Sequence, residues 1–261
     1  MKPRLLIIAF LTYVVLGGSL RAEPTVLITG GNRGIGLEFT RQYAARDYKV
    51  IATARNPDSA TALQALRVEF PNIVIEQLDV TDFAAIDSLA ARYAEQPIDI
   101  LINNAGVSGD AFRTQMFGSL DYSVFEQVMR VNALAPLKMA EAFMAHVAAS
   151  EQKKIISVSS KMGSIALTNG IGYFYRSSKA ALNMAMRSLA MDPTVGLHEK
   201  EIIVGLVNPG ATDTDLMRDR RGSIPLRSPE EAVVDMIRNI EAFNPDTTGT
   251  FVEYNGSPLP W

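Results

Sequence analysis

Thr25-Val26-Leu27-Ile28-Thr29-Gly30-Gly31-Asn32-Arg33-Gly34-Ile35-Gly36 is the stretch that decides the fold. A short apolar, β-rich run ends at Thr29, a glycine-rich turn follows, and a helical pattern from Ile35 to Arg46 begins at once. Glycines allow a tight turn and let the backbone approach a pyrophosphate at a helix N-terminus, where peptide N–H groups point outward. Gly30, Gly34 and Gly36 give the spacing G-x-x-x-G-x-G, which differs from the G-x-G-x-x-G dinucleotide fingerprint. A glycine loop alone also suits a flexible turn. Between a first strand and a first helix it reads as a phosphate cradle, with Gly30, Asn32, Arg33, Gly34, Ile35 and Gly36 as its residues.

Beyond that turn, strands and helices alternate. Apolar, β-rich runs lie at Thr25–Thr29, Lys49–Thr53, Ile73–Leu78, Ile98–Ile102, Lys154–Val158, Ile202–Val207 and Thr250–Glu253. Short, nearly continuous apolar runs are what parallel strands covered on both faces require. Helical patterns separate them. Asp82 to Glu95 carries Ile86, Leu89, Ala90 and Tyr93 at helical spacing, and Tyr175 to Met191 is rich in Ala, Leu and Met. Asp121 to Ala149 contains Pro136, which predicts a kink or break. Ser228-Pro229-Glu230-Glu231 is a capping box that opens a last helix running to about Phe243. Repeated strand–helix–strand units predict an α/β protein, a single doubly wound domain over residues 23–261 with a mostly parallel sheet of seven strands.

The second strand selects the nucleotide. An acidic residue at its end would hold the ribose 2′-hydroxyl of NAD. Here it ends Ala52-Thr53-Ala54-Arg55-Asn56, with no carboxylate before Asp58. Arg33 and Arg55 would instead flank a 2′-phosphate, because a guanidinium pairs with phosphate through two N–H groups. NADP(H) is therefore expected in preference to NAD(H).

Bulk composition narrows the chemistry. The 261 residues carry a formal net charge of −3, which argues against a nucleic-acid footprint. Cysteine is absent, so disulfides, cysteine nucleophiles and thiolate metal sites are excluded together. His146 and His198 lie in separate segments, too few and too far apart for a zinc site or a Ser-His-Asp hydrolase; no metal is expected. At the N-terminus, Lys2 and Arg4 precede an apolar stretch from Leu5 to Gly18. Residues 1–22 read as a signal peptide or membrane anchor, which predicts an exported protein or one attached to a membrane.

Tyr175 and Lys179 stand four residues apart, on one face of a helix. A free tyrosine has a pKa of roughly 10, and a neighbouring ammonium favours its ionised form. The pair would exchange a proton near neutral pH, as carbonyl reduction and alcohol oxidation require. The spacing alone is common on half-exposed helix faces, so its weight comes from the company it keeps.

Taken together, the motifs resemble the short-chain dehydrogenase/reductase family from about Thr25 to the C-terminus. Thr29 to Gly36 resembles T-G-x-x-x-G-I-G, and Asp79-Val80 follows the third strand, where the family contacts adenine. Asn103-Asn104-Ala105-Gly106 matches N-N-A-G, and Asn132 matches the helix asparagine of the catalytic tetrad. Ser159-Ser160-Lys161-Met162-Gly163 matches the catalytic-serine segment, Tyr175 and Lys179 match Y-x-x-x-K, and Pro209-Gly210 with Thr214 resembles P-G-x-x-x-T beside the nicotinamide. Ser160 lies 15 residues before Tyr175, two more than is usual, so the loop Ser164 to Gly172 is longer. Ser160 holds the position before x-x-Gly and is the assigned serine; Ser159 is the alternative, and Ser164 is a candidate substrate contact. The longer loop, the sequence Tyr175-Arg176-x-Ser178-Lys179 and the ending Tyr254-Asn255-Gly256 to Pro260-Trp261 are similar to the branch of carbonyl reductases that includes the sniffer and C-factor proteins.

The resemblance implies a Rossmann fold and hydride transfer between NADP(H) and a small-molecule carbonyl or secondary alcohol. It implies Tyr175 as acid/base, Ser160 as donor to the carbonyl oxygen, Lys179 on the nicotinamide ribose and Asn132 as holder of a water. Gly30, Asn32, Arg33, Gly34, Ile35, Gly36, Arg55, Asp79, Val80, Asn104, Ala105, Gly106, Pro209, Gly210 and Thr214 would shape the cofactor cleft with Tyr175 and Lys179. Pairing of two copies through the helices of 121–149 and 175–191 is a further expectation. Substrate would meet Phe112, Met116 and Phe117, the loop Ser164 to Gly172, and the segment Asp215 to Arg227. Two other readings remain: an NADP(H)-binding regulatory protein without turnover, and a nucleotide-sugar epimerase or dehydratase, which usually carries a longer C-terminal substrate region.

Overall fold

In the computed structural model, which describes residues 23–109 and 115–261, seven strands form one fully parallel sheet. The strands are β1 (Thr25–Ile28), β2 (Lys49–Ala54), β3 (Ile73–Gln77), β4 (Ile100–Asn103), β5 (Lys154–Val158), β6 (Ile203–Asn208) and β7 (Thr250–Glu253). Their order across the sheet is β3-β2-β1-β4-β5-β6-β7. The chain therefore builds outward from β1 in one direction, returns, and builds outward in the other. Such a reversal opens a crevice at the carboxyl ends of the strands, between β1 and β4.

Alternation along each strand feeds two cores. Val26 and Ile28 of β1 and Val50 of β2 face α1 (Gly34–Ala44), α2 (Thr61–Glu69) and, across the sheet, α7 (Pro229–Ala242), packing with Phe39, Tyr43, Leu63, Met236 and Ile240. Leu27, Ile51, Leu101 and Ile155 point the other way. They meet Ile86 and Leu89 of α3 (Phe83–Arg92), Met139 and Phe143 of α5 (Ala135–Ala148), and Leu182 and Met186 of α6 (Tyr173–Met191). Each such large apolar side chain contributes about 1.5–3 kcal/mol by leaving water.

All seven expected strands are present, with ends displaced by a residue or two. The capping box is formed at α7: the Glu231 N–H donates to Ser228 Oγ at 3.1 Å and the Ser228 N–H to Glu231 Oε2 at 3.2 Å. α2 is an addition to the sequence reading. It buries Leu63 alone, so its apolar periodicity is faint. The stretch from Asp121 to Ala149 is a 3-10 turn (Tyr122–Val124), a short α4 (Phe125–Met129), a π turn (Arg130–Leu134) and α5. Pro136 sits at the start of α5.

The expectation of an exported or membrane-anchored protein is corrected: among the described residues no helix is long and apolar enough to cross a membrane. Residues 1–22, on which that expectation rested, lie outside the described residues.

Candidate active site

The glycine turn is stapled to the exit of β4. Thr29 Oγ1 accepts the N–H groups of Asn104 and Ala105, both at 3.0 Å. Asn104 Nδ2 donates to the carbonyls of Thr29 at 2.9 Å and Gly30 at 3.2 Å. A Cβ on Gly36 would lie 2.1 Å from the Gly30 oxygen, so only glycine lets the first turn of α1 sit on this loop. The start of α1 has no side-chain cap and no acidic residue in its first turn. Its outward N–H groups and positive dipole end are thus left to an anion, which fits a cofactor pyrophosphate.

Around this cradle opens a cleft of about 2210 Å³. Gly30, Asn32, Arg33, Gly34, Ile35 and Gly36 line it, as do Arg55, Asp79, Val80, Asn104, Ala105, Gly106, Ser160, Tyr175, Lys179, Pro209, Gly210 and Thr214. Burial works against the Asp79 carboxylate, but hydrogen bonds from the Thr81 N–H and hydroxyl, with Arg55 and Arg130 nearby, outweigh it and hold its pKa below the usual range. Arg33 is 62% exposed and pairs with Asp215 across the cleft at 3.0 Å. Arg55 is exposed as well, and the exposed Arg33–Asp215 pair contributes only about 0–1 kcal/mol.

Asn132 lies in the π turn, fully buried. Its Oδ1 accepts the Val107 N–H at 2.9 Å, and its Nδ2 donates to the Val107 carbonyl at 2.8 Å and to Ser178 Oγ at 2.9 Å. Pro136 supplies no N–H to the Asn132 backbone carbonyl, which leaves that oxygen without its ordinary helical donor. π turns of this kind recur at functional sites.

The two serines separate cleanly. Ser159 Oγ is turned into the core and donates to Asn183 Oδ1 at 2.5 Å. Ser160 lies near enough to the Tyr175 hydroxyl to lower its pKa, and it accepts the Met162 N–H at 3.1 Å. The turn that carries Ser160 lies directly on α6: a Cβ on Gly163 would fall 2.7 Å from the Lys179 carbonyl carbon. Ser164 is buried, accepts the Leu167 N–H at 3.2 Å and does not line the cleft. The longer loop is clamped by Arg176, which donates to the carbonyls of Ile171 at 2.6 Å and Met162 at 3.3 Å and to the Asn169 side chain.

Tyr175 and Lys179 are both buried at the floor of the cleft. Lys179 Nζ donates to the Val158 carbonyl at 2.9 Å and lies 6.0 Å from the Tyr175 ring centre. Burial brings the Lys179 pKa down to about 8. The sequence reading put the Tyr175 pKa below its ordinary value. Burial pushes it above, and neighbouring Ser160 opposes that only in part. A tyrosine held neutral in this way keeps its hydroxyl proton at neutral pH.

Of the expected substrate contacts, Phe112 lies outside the described residues. Met116 and Phe117 are exposed and lie off the cleft wall, whereas Met217 lines it. Gln115 was not singled out from the sequence, and Thr29 and Ser178 stood within quoted motifs without a role of their own. Ser178 was legible within Tyr175-Arg176-Ser177-Ser178-Lys179; Gln115 carries no motif.

Known proteins match this architecture. The family model for short chain dehydrogenase matches residues 24–224. The C-signal protein of Myxococcus xanthus is 36% identical over 175 residues, covering 67% of this chain and 99% of that protein. An NADPH-bound carbonyl reductase from chicken fatty liver superposes with a TM-score of 0.81 at 32% identity, covering 92% of this chain and 99% of the other. The carbonyl reductase Sniffer of Drosophila melanogaster gives 0.81 at 29% identity, covering 92% and 100%. With the matched segment running through the glycine turn, the N-N-A-G exit and the Tyr175–Lys179 helix, the chain belongs to the short chain dehydrogenase family.

Proposed function

We propose that the chain reduces small carbonyl compounds with NADPH, or oxidises the corresponding secondary alcohols with NADP, through Tyr175. The observation that carries this reading is the convergence of a neutral, buried Tyr175, neighbouring Ser160, and Lys179 in one cleft with an uncapped helix N-terminus and two exposed arginines. The carbonyl-reductase structures that superpose on the chain, one of them NADPH-bound, support the cofactor choice. Bound NADPH supplies a hydride to the carbonyl carbon. Tyr175 gives its hydroxyl proton to the carbonyl oxygen, so the product is the neutral alcohol. Ser160 donates to that oxygen as charge grows there, a preorganised contact that strengthens in the transition state. Lys179, with a pKa of about 8, gains and loses protons close to neutral pH and lies beside Tyr175 to restore its proton. The Asn132 backbone carbonyl is the acceptor for a water joining Lys179 to solvent, while its side chain holds Val107.

Phe125, Met162, Ile171, Met217 and Ile224 supply apolar wall near the catalytic groups, which suits an apolar aldehyde or ketone. Exposed Leu137 on α5 and Met184 on α6 support pairing of two copies through those helices, checked by sedimentation at micromolar protein.

Tyr175→Phe tests the reading. Loss of a general acid costs about 10²- to 10⁴-fold in kcat. We expect that loss with NADPH affinity, read by nicotinamide fluorescence, within about twofold of the parent. Wild-type turnover in this variant would sink the assignment.

A further inference from the structure

We propose that Gln115 is a positioning residue for Tyr175, holding the catalytic tyrosine in register with the cofactor cleft. This rests on the reading of Tyr175 given above. Helix α6 begins at Gly172, which has φ 80° and no side chain to cap the helix. The orphan N–H groups of a first turn are ordinarily met by a Ser, Thr, Asp or Asn at that position. Here the third helical residue is Tyr175 itself, and its N–H donates to Oε1 of Gln115 at 2.8 Å, from a loop 60 residues earlier in the chain. The Gly172 N–H donates to the Gln115 backbone carbonyl at 3.1 Å. The cap of the catalytic helix is thus supplied from outside the helix.

The remaining hydrogen-bonding capacity of that amide points at the cofactor side. Gln115 Nε2 donates both hydrogens, to the carbonyls of Ser108 and Gly109, each at 2.7 Å. The residue is 0% exposed, so a lost partner would not be replaced by solvent. Asn132 grips the preceding residue, Val107, through both its N–H and its carbonyl, and passes through Ser178 Oγ to the Tyr175 carbonyl at 2.8 Å. Two buried amides therefore hold residues 107–109 of one loop and reach the Tyr175 backbone at its two ends, Gln115 at the N–H and Asn132 at the carbonyl. Gly106, Val107 and Ser108 line the cleft, so their position fixes the distance from the tyrosine hydroxyl to anything bound there. A displacement of about 1 Å at such a centre can cost 100-fold in rate.

The test uses Gln115→Met, which keeps shape and removes every side-chain hydrogen bond, and Gln115→Glu, which keeps the acceptor for the Tyr175 N–H, loses both donors and adds a charge near the helix start. Active sites are counted by NADPH fluorescence titration, so that kcat refers to folded molecules. For Gln115→Met we expect kcat per site to fall about 10- to 100-fold with NADPH affinity within about threefold. For Gln115→Glu we expect the pH at which alcohol oxidation is half-maximal to move upward by about half a unit or more, because a nearby carboxylate disfavours tyrosinate. Unchanged kcat per site and an unchanged pH profile overturn the proposal, and so does a loss of stability alone. Hydrogen exchange on the unaltered protein gives an answer even if neither variant folds: the Tyr175 amide is expected to be protected by about 100-fold or more, and exchange at the open-chain rate overturns the proposal. Tyr175→Phe separates the two readings. If it is active, the role of Tyr175 fails; if it is inactive while Gln115→Met turns over normally, only the role of Gln115 fails.

Discussion

Lys179 shows how burial turns an ordinary surface residue type into a group that titrates near neutral pH. Its pKa is drawn down from 10.5 to about 8, because removal from water penalises the ammonium. The consequence for stability has a definite sign. Below pH 8 both folded and unfolded chains hold the proton, and the cost of the buried charge is fully present. Between about pH 8 and 10 the folded protein has released it while the unfolded chain keeps it, so stability rises with pH. Compared with Lys179→Met, the parent protein should gain up to about 1.4 kcal/mol per pH unit across that window, read from urea midpoints. An equal pH slope in both proteins contradicts the burial argument. At this scale the sequence revealed residue types and spacings: Tyr175, Lys179 and Ser160 line one cleft, and Asn132 lies buried behind it, holding Val107 of its wall. It did not reveal that burial, rather than Lys179, dominates the Tyr175 pKa, because desolvation depends on the packed surroundings. Nor did it reveal Gln115, whose partners lie in two separate stretches of chain, residues 108–109 and 172–175.

The π turn Arg130–Leu134 is the element on which catalysis and packing meet. Its closing bond runs from the Ala135 N–H to the Arg130 carbonyl, one residue further back than an α-helix would allow. Pro136 prevents an α-type bond from forming to Asn132. Pro136→Ala restores that N–H and allows the wide turn to tighten. We expect thermal stability to be unchanged or raised and kcat to fall several-fold, as the Asn132 carbonyl is taken up within the helix; equal turnover would show that the turn is only a packing solution. The sequence placed an irregularity here because proline is a local signal. It could not specify a π turn, which depends on Val107 and Ser178 holding Asn132 from the side. The same limit explains α2. A helix that buries only Leu63 has no marked apolar stripe, whereas the strands, buried on both faces, were legible almost to the residue.

Across the whole molecule, the site is assembled from both halves of the sheet. The glycine turn follows β1 and the Asn104 staple follows β4, neighbours in space yet 74 residues apart where Asn104 reaches Gly30. Every pairing between the seven strands is parallel, so no two of them are joined by a hairpin, although the segment after β7 folds back on it through an antiparallel bridge from Val252 to Pro258. Contacts of such separation form late, because the entropy of closing a long loop is lost before any of them stabilises the fold. In time, then, the cofactor cleft is a product of the last large-scale pairing rather than a template for it. During refolding from denaturant, helical circular dichroism should recover ahead of NADPH fluorescence enhancement, and added NADPH should leave the rate of helix recovery unchanged while slowing unfolding. NADPH that accelerates the first phase would mean that the β1–β4 crevice is already formed in the collapsing chain.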